Sequence, residues 1–146
     1  MLFHGTNLKL VSLQPQGISS PKELQRVNGS KSALFATEFY EEALVYGISK
    51  ALKMNGHAGY GKNDERWLIS LPFEKESIQK DIPIYVYSFE ETYFKKSDLN
   101  EWYTDQEISV LRETKLTIGE ALLKFDEVRF NPDFHDETHR ESERWL

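Results

Sequence analysis

The chain has 146 residues, 39% of them hydrophobic and 13% aromatic, which suits one globular domain and excludes a disordered tail or a collagen-like repeat. Its 18 basic and 24 acidic residues leave a net charge of −6, which disfavours nucleic acid or anionic lipid as the main partner. It has no cysteine, which excludes disulfides, thiol nucleophiles and thiolate metal sites.

No apolar run approaches the roughly 18 residues that a membrane span needs. Met1-Leu2-Phe3-His4-Gly5 has neither the basic start nor the long apolar core of a secretory signal. The expected setting is therefore the cytoplasm, with no membrane partner.

Leu2-Phe3-His4-Gly5 reads as a short strand that ends at the glycine. Residues 12–32 are rich in Ser, Pro, Gly and Asn and predict a long loop, with one helical turn at Pro21–Arg26. Ala33–Ala36 is a second strand. Thr37 is placed to cap a helix reaching Met54, with Glu38, Glu41 and Glu42 at the positive end of its dipole. Glu42, Ser49 and Lys53 form its narrow polar stripe, so the rest of the helix should be packed.

Residues 55–65, with three glycines, predict a turn rather than a phosphate loop, because no Gly-Lys-Ser/Thr follows and a strand comes next. Trp67–Leu71 is that strand, ended by Pro72. Ile84–Phe89 is the strongest strand signal, being β-branched and aromatic. Glu101–Leu111 reads as a further strand with a break at Asp105. Thr117 and Glu120 have capping-box spacing and open a short helix over Ala121–Lys124, and Asp126–Phe130 is the last strand. The sum is an α+β domain over residues 1–132, with a charged tail at 133–146.

In that tail, His135 and His139 stand four apart, a spacing that can chelate zinc on a helix. Asp136 stands where a zinc-protease motif has glutamate, and no third ligand is evident. The segment reads as a solvated helix, and no metal is expected.

Three segments carry the chemistry. His4-Gly5-Thr6 ends the first strand. Phe35 closes the second strand and Tyr46 follows eleven residues later in the helix, a spacing that lets two rings face each other across a cleft. Spacing alone favours two core aromatics. Asn100-Glu101-Trp102-Tyr103 opens the third segment.

In this order the three segments resemble the H-Y-E branch of the ADP-ribosyltransferase fold, shared by diphtheria toxin, the poly(ADP-ribose) polymerases and the rifamycin ADP-ribosyltransferases. His4-Gly5-Thr6 is similar to its first motif. Leu34-Phe35-Ala36-Thr37 through Tyr46 aligns without a gap to its second, and Glu101-Trp102-Tyr103 is similar to its third. The resemblance implies two small, packed, mainly antiparallel sheets with one long and one or two short helices. It implies an NAD-dependent transferase that releases nicotinamide and passes ADP-ribose to water or to a protein, nucleic-acid or small-molecule acceptor.

By the same match His4, Gly5 and Thr6 bind NAD, Phe35 and Tyr46 stack on nicotinamide, and Glu101 is catalytic. Its motif context favours Glu101 over Glu107, which would share its face on an unbroken strand. Two positions depart from the pattern: Phe35 replaces a tyrosine, and Ala43 replaces a serine that contacts the carboxamide. Those departures would suit an inactive binding module. An RNA 2′-phosphotransferase shares the first motif, but Arg26 is the only arginine before residue 66, which ranks that enzyme lower.

Overall fold

A computed structural model describes residues 1–18, 32–54, 59–97, 101–110 and 112–132. The strands are β1 (Leu2–Thr6), β2 (Ser12–Leu13), β3 (Gln16–Gly17), β4 (Ser32–Ala36), β5 (Gly59–Asn63), β6 (Arg66–Leu71) and β7 (Pro83–Phe89). They continue as β8 (Lys95–Lys96), β9 (Trp102–Thr104), β10 (Ile108–Ser109), β11 (Arg112–Thr117) and β12 (Glu127–Phe130). Among the described residues the α-helices are α1 (Tyr40–Ala51) and α2 (Ile118–Leu122), and the fold is α+β.

Among the described residues the strands form four small groups, ordered β1-β7-β11, β3-β4-β9-β8, β12-β6-β5 and β10-β2. Every pairing is antiparallel except β12 with β6. The grouping is finer than the two sheets expected, because strands of two to seven residues cannot sustain long ladders.

β7 explains the two cores. Its side chains alternate faces, as a strand's must. Ile84 and Val86 pack with Leu44 and Ile48 of α1, with Ile69 and with Ile118. Tyr85, Tyr87 and Phe89 face the other way, onto Leu2, Leu34 and Phe94. A strand buried on both faces reads as a continuous apolar run, which is why Ile84–Phe89 was so plain a signal.

β1 lies between two neighbours. One edge pairs with β7 through Leu2 to Thr6. On the other edge Phe3 exchanges backbone hydrogen bonds with Thr37 at 2.8 and 2.9 Å, tying β1 to the end of β4. A cleft opens in the fork between β1 and β4.

Several expectations are corrected. The helix begins at Tyr40, not after Thr37; Phe39 is its N-cap, and the Thr37 hydroxyl accepts the Phe39 N–H at 3.1 Å. It ends at Ala51, and Lys53 takes a positive φ of 56° just beyond. Residues 59–63 are a strand and not part of a turn; the turn is shorter and includes Asp64 at φ 57°. The segment after Glu101 does break at Asp105, where the Thr104 hydroxyl accepts the Gln106 N–H at 3.2 Å. Its two halves join different sheets, β9 with β4 and β10 with β2. The helical turn at 21–26 and the tail at 133–146 lie outside the described residues, as do residues 55–58.

Candidate functional site

A cavity of about 400 Å³ lies between β1, β4, α1 and the start of β9. His4, Gly5, Phe35, Tyr46 and Glu101 all line it. Thr6 does not; it is buried, and its hydroxyl accepts the Leu8 N–H at 3.3 Å, which shapes the turn after β1. Glu107 stands elsewhere, 2.8 Å from the Ser12 hydroxyl, beside a second cavity that Tyr93 also lines. The break at Asp105 separates the two glutamates.

His4 is fixed by a 2.7 Å contact between Nδ1 and the Phe35 carbonyl. Burial lowers its pKa to about 4; the nearby Lys50 charge adds to this, and the Phe35 carbonyl opposes it. The ring is therefore neutral at pH 7. A carbonyl only accepts, so Nδ1 carries the proton and Nε2 keeps a lone pair. That nitrogen can accept a ligand hydroxyl.

Gly5 is required where it stands. A Cβ there would lie 1.7 Å from the Ala43 carbonyl oxygen and 2.7 Å from its carbon. The missing side chain lets β1 lie directly on α1. The ladder also orients its backbone. Phe3 turns its N–H and C=O away from β7 to meet Thr37, and the alternation of an antiparallel strand gives Gly5 the same orientation. The Gly5 carbonyl accepts from the Lys50 ammonium at 3.0 Å. Lys50 is exposed as a residue, but its charged end is desolvated enough to lower its pKa.

The α1 wall carries a cluster of polar side chains around Glu42 and Tyr46. The Tyr46 hydroxyl lies near Tyr60, and Tyr60 and the Thr37 hydroxyl lie near the Glu42 carboxyl. The Tyr46 and Tyr60 rings meet edge to face, 6.5 Å apart. Burial is the main cause that raises the pKa of Tyr46, Tyr60 and Glu42, and the Glu101 charge raises each further. Two acidic side chains, Glu42 and Glu101, thus face one small volume.

The motifs do not mark Glu42 and Lys50, which line the cavity, or Tyr60, which packs edge to face on Tyr46. Glu42, Tyr46 and Lys50 recur every four residues, the spacing of one helix face. That row is the available signal; the stripe drawn through Glu42, Ser49 and Lys53 ran along a different line. Tyr60 was hidden in a glycine-rich stretch.

Among the described residues no cluster of three or more His, Asp or Glu could hold a metal, and no helix is long and apolar enough to cross a membrane. His135 and His139 lie outside those residues. The chain matches no protein-family model, no curated protein and no solved structure.

Proposed function

We propose that the cavity binds NAD and cleaves its nicotinamide–ribose bond on an ADP-ribosyltransferase-like fold, passing ADP-ribose to a nucleophilic acceptor or to water. The observation that carries this reading is convergence. Residues 4, 5, 35, 46 and 101 come from separated segments that resemble three motifs in sequence, and they line one cavity.

In this reading the nicotinamide ring lies between Phe35 and Tyr46, and the Gly5 N–H holds the ring substituent. His4 Nε2 accepts a ribose hydroxyl. Breaking the bond sends its electron pair to the ring nitrogen and leaves positive charge on the sugar. The Glu101 carboxylate stands beside that sugar and stabilises the charge as it develops, more strongly because the rings exclude water. Phe35 keeps the stacking face of a tyrosine without its hydroxyl. Ala43 is fully buried.

The test is nicotinamide release from NAD, with and without added acceptors. Glu101→Gln keeps the shape and removes the charge, so the rate should fall roughly 10²–10³-fold with little change in NAD affinity. Glu107→Gln, set in the other cavity, should leave the rate within about twofold of wild type. Equal rates for Glu101→Gln and wild type would contradict the catalytic assignment. NAD binding without release under any acceptor would assign the cavity to an inactive binding module.

A further inference from the structure

Lys50 reaches the cavity from the last turn of α1, one helix row from Glu42 and Tyr46. Its ammonium bonds the Gly5 carbonyl at 3.0 Å. Among the described residues it makes no ion pair, although both Glu42 and Glu101 line the same cavity. Its charge also acts on His4, which places it over the His4–Gly5 end of the site. An anionic ligand group that reached the ammonium would make there the direct charge-assisted hydrogen bond that neither carboxylate makes.

The edge of Gly5 defines which anion fits. A carboxamide offers one acceptor and one donor, so it needs a protein N–H and a protein C=O side by side. Gly5 has both, but its C=O already accepts from the Lys50 ammonium, which leaves it one lone pair beside a positive charge. The ammonium repels an amide N–H that approaches that lone pair, and with the Gly5 N–H it makes a pair of donors. Two donors match a carboxylate, which only accepts.

We propose that Lys50 selects a dinucleotide whose pyridine ring carries a carboxylate in place of a carboxamide, so that the favoured leaving group is pyridine-3-carboxylate. The inference rests on the proposed function and narrows its substrate. The chemistry balances with water as acceptor: the ring nitrogen takes the electron pair of the broken bond, and water bonds the sugar carbon and loses one proton.

The experiment is calorimetry on the full chain with pyridine-3-carboxylate and pyridine-3-carboxamide, then with the two corresponding dinucleotides and ADP-ribose. Wild type should bind each carboxylate form at least about tenfold tighter than its carboxamide counterpart, as one charge-assisted hydrogen bond allows. Lys50→Met should lose that preference, and Lys50→Arg should keep most of it. Equal or tighter binding of the carboxamide by wild type would overturn the inference and leave the proposed function standing, as would an unchanged preference in Lys50→Met. If Lys50→Met weakens ADP-ribose as much as the acid dinucleotide, the anion is the pyrophosphate and the carboxylate assignment fails. Binding of none of these compounds would remove the proposed function itself.

Discussion

His4 donates its Nδ1 proton to the Phe35 carbonyl and turns a lone pair toward the cavity, and burial keeps it neutral down to a pKa of about 4. The unfolded chain protonates the same ring at about 6.5. Between those values the unfolded state binds the extra proton, so stability is fully present above about pH 6.5 and is lost as pH falls toward 4. The loss should reach roughly 3 kcal/mol by pH 4 and level off below it. Glu42 has the opposite sign: its raised pKa lets the folded state hold a proton that the unfolded state has lost, which lowers stability as pH rises through the carboxylate range. Urea denaturation of wild type and His4→Gln across pH 4–8 separates the two, because Glu42 is common to both. A difference between them that does not change with pH would contradict a buried neutral His4.

At the level of elements, the close approach of β1 and α1 depends on Gly5. The Ala43 carbonyl is backbone, so no rotamer change can relieve a Cβ placed 1.7 Å away. Gly5→Ala should cost roughly 1–3 kcal/mol or more by overpacking. Gly17 has open space where its Cβ would go, and Gly17→Ala should stay within about 0.5 kcal/mol of wild type. Thermal melts of both variants check the contrast; equal melting temperatures would contradict the packing argument. The helix α2 depends on a capping box, with the Thr117 hydroxyl accepting the Glu120 N–H at 3.1 Å and the Glu120 carboxylate accepting the Thr117 N–H at 3.1 Å. Thr117→Ala should cost about 1 kcal/mol in the same melts, and Thr117→Ser much less.

That box was legible because its partners are three residues apart in sequence. β7 was legible because it is apolar on both faces. β11 was not: in Arg-Glu-Thr-Lys-Leu-Thr only Leu116 is apolar, and the strand exists because β7 offers it an edge. β5 was masked by glycines that predict a turn. Thr37 has capping chemistry, but Phe3 holds its backbone in the bridge to β1, and the helix starts three residues later.

Across the whole molecule, the cavity draws on residues almost a hundred positions apart, and long-range pairing brings them together. β1 is held by β7 on one edge and Thr37 on the other. β4 is held by β9, with Phe35 opposite Tyr103, which sets Glu101 at the mouth of the same fork. The motif residues were legible because each is short and local. The second carboxylate and the lysine were not, since their importance appears only once α1 is laid on β1. Thr6 belongs to the motif and not to the cavity: it shares the His4 face of β1 but lies at the end of the strand, where its hydroxyl accepts the Leu8 N–H. The measurement closest to the central claim is a crystal structure of the protein with a non-hydrolysable analogue of the dinucleotide. The account predicts the pyridine ring between Phe35 and Tyr46, a ribose hydroxyl in hydrogen-bond reach of His4 Nε2, and the Glu101 carboxylate beside the same ribose. A ligand seated in the cavity beside Tyr93 and Glu107, or a ring that touches neither Phe35 nor Tyr46, would contradict it.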